Sequence, residues 1–210
     1  KYFNRKAQLL GLDKLAWYDV EAPIAKSEEK VSYDEAGNFV VDHFRQFSPK
    51  MADFAQMALE NRWIEAEDRP GKRPGGFCTS FPRSGQTRVF MTFSGTKDNI
   101  STLAHELGHG VHQVLAAEQG ALMSETPLTL AETASVFGEM LTFRSMLDRT
   151  SDRRERKAML AQKAEDMINT VVRQIAFYEF ERKVHTERRK GELTSDRIGE
   201  LWLEVQAESL

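Results

Sequence analysis

Apolar residues in this chain recur mostly at intervals of three and four, the spacing that lines one face of an α-helix, and only a short central stretch alternates at intervals of two. Residues 1 to 16 carry apolar positions at helical spacing and read as the end of a longer helix. Trp17-Tyr18-Asp19 to Pro23 breaks the pattern with an extended segment, in which Asp19 has the character of a structural hydrogen-bonding residue. Between Tyr33 and Phe47, Phe39, Val40 and Phe44 predict a second helix, and Pro49 opens a third containing Met51, Phe54, Met57, Ala58 and Trp63. The run from Arg69 to Gly76 is rich in proline and glycine and predicts a loop. Its basic residues lack the spacing of a phosphate-binding loop. Phe77 to Phe81 and Arg88 to Phe93 alternate as two strands of a hairpin joined by the turn Pro82-Arg83-Ser84-Gly85-Gln86.

Helical spacing resumes at Ser101 and continues towards Gly120, and Pro127 starts the next helix. A long helix is predicted from Arg153 to Lys190, with Leu160, Ala164, Met167, Val171, Ile175 and Tyr178 forming one apolar stripe assigned to the core. The mixed-sign charged run from Glu181 to Lys190 reads as a solvated helix end. His185 within it and His43 in the second helix read as surface or packing residues. Gly191 stops that helix, and Thr194 or Ser195 caps the last one, whose Ile198, Leu201, Trp202 and Val205 point inward. The expected fold is mainly α with a small antiparallel β-hairpin or sheet (α+β), forming one domain over residues 1–210 without repeats.

Composition changes this picture little and narrows the function. A length of 210 residues with 40% hydrophobic and 29% charged residues suits a globular chain with an ample core. A net charge of −3 argues against nucleic acid or an anionic membrane as the main partner. No stretch has the length of a membrane span, and the N-terminus lacks the layout of a secretory signal. The lone Cys78 excludes an internal disulfide framework and suits a reducing compartment, so the expected location is cytoplasmic. Lys1 and Leu210 both fall inside helical patterns, and the chain is expected to be a segment of a longer protein.

Chemistry concentrates in Ser101-Thr102-Leu103-Ala104-His105-Glu106-Leu107-Gly108-His109-Gly110-Val111-His112. On a helix, successive residues turn by about 100°, so His105 and His109 lie about 40° apart and one turn apart, with both imidazoles facing the same way. That arrangement suits the first two nitrogen ligands of one zinc ion, and Glu106 is displaced to the side, where it can reach a metal-activated water without coordinating. The chain holds five histidines, and three of them within eight residues weakens the reading of an ordinary amphipathic helix. His112 is about 10.5 Å along the axis from His105, too far to share an ion with both other imidazoles, so it reads as a supporting or packing residue.

A third ligand must therefore come from another element. In Pro127-Leu128-Thr129-Leu130-Ala131-Glu132-Thr133-Ala134-Ser135-Val136-Phe137-Gly138-Glu139-Met140, Glu132 and Glu139 fall on one helix face seven residues apart. The rise between them allows only one to touch the metal. Glu132 stands among Ala131, Thr133 and Ala134, small residues that let two helices approach closely. Glu139 is placed to accept a hydrogen bond from a ligating or neighbouring histidine. The uncharged surroundings suggest a buried face, where a carboxylate needs a cation or a hydrogen-bond donor.

These two segments resemble the metal-binding segments of the zinc oligopeptidases of the thimet oligopeptidase and oligoendopeptidase F type, the second supplying the glutamate ligand. Gly11-Leu12-Asp13-Lys14-Leu15-Ala16-Trp17-Tyr18-Asp19, Gly71-Lys72-Arg73-Pro74-Gly75-Gly76-Phe77 and Phe93-Ser94-Gly95-Thr96 also look like segments of the oligoendopeptidase F branch. The resemblance implies a zincin-like helical catalytic domain, one Zn2+ held by His105, His109 and Glu132, and hydrolysis of short peptides with Glu106 as general base. In zinc peptidases with such a helix a nearby edge strand aligns the peptide backbone, and by position Met91, Thr92, Phe93 and Ser94 would be that strand, with a plain core hairpin as the equal alternative for any one of them. In that family, tyrosines and a histidine that stabilise the developing oxyanion lie C-terminal to the end of this sequence, and a chain without them would be weakly active or inactive. Three alternatives stand beside this reading: a non-catalytic zinc-stabilised helical module, a helical scaffold without metal, and manganese or cobalt in place of zinc. Oligomeric state is not legible.

Overall fold

In the computed structural model of the chain, residues 2–24, 30–73 and 75–209 are described. Pro74 of the turn-rich loop, together with Lys1 and Leu210, lies outside them. In chain order the elements are α1 (Tyr2–Leu10), α2 (Tyr33–Phe47), α3 (Pro49–Glu60), β1 (Ile64–Glu65), β2 (Gly76–Phe81), β3 (Gln86–Met91), α4 (Lys97–Ala116), α5 (Leu128–Arg149), α6 (Arg153–Ile168), α7 (Gln174–Arg188) and α8 (Ser195–Ser209). The chain forms two compact units, residues 27–151 and residues 1–26 with 152–210, where its length alone suggests one domain. Among the described residues, no helix is long and apolar enough to cross a membrane.

Within residues 27–151, local signals set the helix ends. Ser32 caps α2 by accepting the Glu35 N–H at 3.2 Å, while the Glu35 carboxylate accepts the Ser32 N–H at 2.9 Å. Pro49 begins α3, which stops at Glu60, before the predicted Trp63. α2 contributes Ala36, Val40 and Phe44 to the core, α3 contributes Ala52, Ala55 and Ala58, and α4 contributes Leu103, Ala104 and Leu107. Leu103 and Leu107 are fully buried, and each such side chain contributes roughly 2 kcal/mol relative to exposure. His43 is buried in this core, its Nδ1 2.6 Å from the Phe39 carbonyl oxygen, as expected of a packing histidine.

The sheet differs from a plain hairpin. Its order is β1-β3-β2, with β3 antiparallel to β2 and parallel to the short β1, whose Ile64 and Glu65 register with Val89 and Phe90. Two residues carry too little alternation to announce a strand, which is why β1 escapes the sequence pattern. The basic residues of the following loop serve it structurally. Lys72 Nζ lies 2.9 Å from the Glu65 carboxylate and donates to the Glu67 carbonyl at 2.6 Å, and Arg69 pairs with Glu65.

In the other unit, α1 ends at Leu10, Gly11 follows with φ +73°, and Trp17–Asp19 form a 3₁₀ turn where an extended segment was expected. The Asp19 carboxylate accepts the Ala16 N–H at 2.9 Å and holds that turn. Lys6 is buried and its Nζ donates to both Glu165 oxygens, at 2.6 and 2.7 Å, and to the Val20 carbonyl. Tyr2 donates to the same Glu165 carboxylate at 3.0 Å. The predicted helix from Arg153 to Lys190 is interrupted by a π-helical turn at Asn169–Arg173. Its expected core stripe is not covered within residues 1–210, with Leu160, Met167, Val171, Ile175 and Tyr178 each at least half exposed in this chain. The buried positions of α6 and α7 are Glu165 and Ala176, and Trp202 of α8 packs on Phe177 and Phe180. Thr194 caps α8, which buries Leu201 and Val205.

Candidate metal centre

Two helices build the site, and a glycine on each sets their separation. Thr96 starts α4 by accepting the Asn99 N–H at 3.3 Å, while the Asn99 side chain accepts the Thr96 N–H at 3.2 Å. From there α4 carries His105, Glu106 and His109 without interruption. A methyl group on Gly108 would lie 2.6 Å from the Ala134 carbonyl oxygen and 2.8 Å from Ser135 Cα on α5. Reciprocally, one on Gly138 would lie 2.7 Å from the Ala104 carbonyl oxygen on α4. Each helix therefore lays its backbone against a glycine of the other, a closer approach than any side chain between them permits.

That approach brings the two imidazoles and one carboxylate to a common point. His105 Nε2 lies 3.1 Å from His109 Nε2, and Glu132 Oε2 lies 3.2 Å from the first and 3.4 Å from the second. Three ligands on a tetrahedral zinc ion at about 2.1 Å stand roughly 3.4 Å apart, so this donor set fits a single ion of that size. Among the described residues, His105, His109 and Glu132 are the one group of histidine, cysteine and acidic side chains found with metal-binding spacing.

Further hydrogen bonds orient the donors. Glu139 Oε1 lies 2.5 Å from His105 Nδ1, which leaves Nε2 directed at the shared point. Ser135, fully buried and without an assigned role in the sequence pattern, donates to Glu132 Oε2 at 2.7 Å. Glu132 itself is exposed rather than on the buried face its neighbours suggest. The buried ridge of α5 is Ser135, Gly138 and Thr142, and the carboxylate stands at the open side of the site. His112 lines the same cleft but is outside the three-donor group.

Burial governs the site's proton affinities. It lowers the pKa of His105, yet the Glu139 hydrogen bond and the carboxylates of Glu139, Glu106 and Glu132 outweigh it and hold that imidazole above its ordinary value. His109 falls below its ordinary value, because burial and the neighbouring His105 and His112 outweigh Glu132. Glu106 is 4% exposed and is pushed up to about 7 by burial, aided by Glu132 and Glu139 and opposed by His105. Among the described residues its Oε2 has no hydrogen-bond partner. A buried carboxylate with a free oxygen beside the donor set has the position of a proton acceptor.

The cleft holding these groups has a volume of about 400 Å³ and is walled by Gly76, Phe77, Cys78 and Ser80 of β2. β2 and β1 are the two edges of the sheet, whereas β3 is paired on both sides, and β2 is the edge that faces the cleft. The expectation that Met91, Thr92, Phe93 and Ser94 offer a free edge is therefore not met. Met91 is fully buried and registers with Gly76, the Phe93 N–H bonds the Ala66 carbonyl, and the Ser94 N–H bonds the Asn99 side chain. Thr92 hydrogen-bonds the Arg73 carbonyl. On the cleft side the open edge is that of β2, and Gln113 of α4 ties it down by donating to the Cys78 carbonyl at 3.2 Å. Burial pushes the Cys78 thiol up to about 11, so it stays protonated. No local signal distinguishes β2 from β3 as the edge, because that depends on β1 pairing from a distant part of the chain.

Known proteins resemble the whole of this arrangement. The sequence model of Peptidase family M3 matches residues 4–210, running through both compact units. Oligoendopeptidase F, chromosomal, of Lactococcus lactis subsp. cremoris is 31% identical over 209 residues, covering 98% of this chain and 34% of that protein. Oligopeptidase PepF of Bacillus subtilis (strain 168) is 29% identical over 208 residues, covering 98% of this chain and 31% of that protein. The chain thus spans about a third of the length of the curated relatives it matches. Among solved structures, PZ peptidase A with an inhibitor superposes with a TM-score of 0.78 at 21% identity, covering 97% of this chain and 36% of that one, and shares its fold. With a family match over nearly its entire length, the chain belongs to Peptidase family M3.

Proposed function

We propose that this chain is the metal-binding part of the catalytic domain of a zinc-dependent endopeptidase that hydrolyses short peptides. The observation that carries the reading is the meeting of His105, His109 and Glu132 donor atoms, all within 4.8 Å of one another, beside the buried, unpartnered Glu106 carboxylate. Membership of family M3 and relatives named as oligoendopeptidases support it. His105, His109 and Glu132 hold the ion, Glu139 and Ser135 orient its ligands, and zinc when bound supplies Lewis acidity at the peptide carbonyl and a more acidic water. Glu106 takes the proton of the attacking water and passes it to the leaving nitrogen. The open side of β2 aligns an extended peptide along the cleft through main-chain hydrogen bonds. The chain spans about a third of the relatives' length, so the activity is proposed of the whole protein rather than of this part alone. The proposed location is cytoplasmic, with peptides as partners and neither nucleic acid nor membrane involved.

Replacing Glu106 with glutamine in the intact protein tests this. Zinc content should stay at one ion per chain, while turnover of a quenched fluorescent oligopeptide falls by about three orders of magnitude or more, the upper part of the range for loss of a general base and its charge. Turnover within tenfold of the parent would remove Glu106 from the mechanism. A non-catalytic zinc module predicts no hydrolysis by either protein.

A further inference from the structure

The carboxylate of Glu106 lies directly beneath the first residue of β2. A methyl group built on Gly76 would stand 2.5 Å from Glu106 Oε1, closer than such atoms approach without bonding, and a tight 3.1 Å from Cδ and 3.2 Å from Cγ. Conformation does not call for glycine here, since Gly76 is outside the positive-φ glycines and registers with Met91 as an ordinary strand residue. Its neighbour Gly75 is the reverse case, with φ +99° and nothing within 4 Å of an added Cβ. The two adjacent glycines thus answer different demands. Gly75 makes the turn into the strand, and Gly76 clears space for one carboxylate.

We propose that Gly76 is the positioning residue for Glu106: the missing side chain at the head of β2 lets the carboxylate lie under the strand with its second oxygen free. The proposal rests on the reading of Glu106 as general base. The atoms a methyl would strike belong to the end of a flexible side chain, so the fold can absorb the substitution by turning the carboxylate aside. The metal donors are on other side chains and keep their places. Proton transfer cannot absorb the same movement, because a general base works only within about 2.6–3.2 Å of the proton it takes, and a shift of about 1 Å can lower the rate about a hundredfold.

The test is a set of variants in the intact protein, Gly76→Ala, Glu106→Asp, the two combined, and Glu106→Gln, assayed for zinc content, thermal stability, and kcat and KM on a quenched fluorescent oligopeptide. Gly76→Ala should lower kcat about 10- to 100-fold with KM and zinc content within about twofold of the parent. In the Glu106→Asp background, where the carboxylate is withdrawn by one methylene from the added methyl, the same substitution should change kcat by less than about threefold. Several results would overturn the proposal: a parental kcat in Gly76→Ala, a loss confined to KM or matched by loss of zinc, an equal loss in the Glu106→Asp background, or failure of Gly76→Ala to fold. Turnover retained by Glu106→Gln would instead remove the base assignment, a failure separable from that of Gly76.

Discussion

The α4–α5 pair and the α6–α7 pair are both long and helical, but they bury opposite kinds of side chain. Between α4 and α5 the contact is made by Gly108, Gly138, Ser135 and the backbones beside them, with the Glu132 carboxylate on the open side and Glu106 buried beside the donor set. In the unit containing α6 and α7, the charged pair is at the centre. Lys6 and Glu165 are buried together while Leu160, Met167, Val171, Ile175 and Tyr178 face outward. The difference teaches that an apolar stripe at helical spacing predicts a helix reliably and its buried face poorly. Which face is covered depends on what else is close enough to cover it, and on whether a buried charge finds a partner.

The largest expected effect comes from breaking the ionic side of that comparison. Lys6→Met leaves the Glu165 carboxylate buried with only Tyr2 donating to it from a side chain, and should destabilise the protein by about 3 kcal/mol or more. Replacing both partners with apolar residues should restore most of the loss, as measured by chemical denaturation. Zinc content should be unchanged in each. If the double replacement were as unstable as the single one, the pair would be contributing more than mutual neutralisation.

Glycine contacts give the next effect. Gly108→Ala places a methyl against the α5 backbone and should lower stability by about 1–3 kcal/mol and reduce zinc retention, because the helices must separate. Gly199 in α8 has nothing within 4 Å of an added Cβ, so Gly199→Ala should raise stability by up to about 1 kcal/mol through helix propensity alone. Opposite signs from the same substitution would establish that one glycine is a contact and the other is not. Of comparable free-energy size is Glu139→Ala, which frees His105 Nδ1 and should weaken zinc binding about 10- to 100-fold in a competition titration without changing the fold. Unchanged affinity would reduce Glu139 to a bystander.

The chemistry of the site was more legible in the sequence than the surfaces around it. His105, Glu106 and His109 declare themselves because a helix converts fixed spacing into fixed direction. Glu132 and Glu139 follow from the rise between them, which lets one reach the shared point and leaves the other beside His105. Ser135 carried a readable signal, a hydroxyl one turn after Glu132, that spacing arguments about ligands alone passed over. Gly76 carried none, since its reason is a carboxylate thirty residues later in the chain. The exchange of edge strand from β3 to β2 has a similar origin, as two residues of β1 pair from outside the hairpin and close the side that local alternation left open. Interruption of the α6–α7 helix by a π turn was invisible for another reason: residues 169–173 contain no proline or glycine to announce it.

Zinc binding by Glu132→Ala, measured by elemental analysis and competition titration on the intact protein, tests the central claim most directly. If two imidazoles and this carboxylate share one ion, the parent should hold one zinc per chain, and the variant should lose most of it after gentle dialysis against a weak chelator. Full occupancy with unchanged affinity in the variant would contradict a centre built by α4 and α5 together.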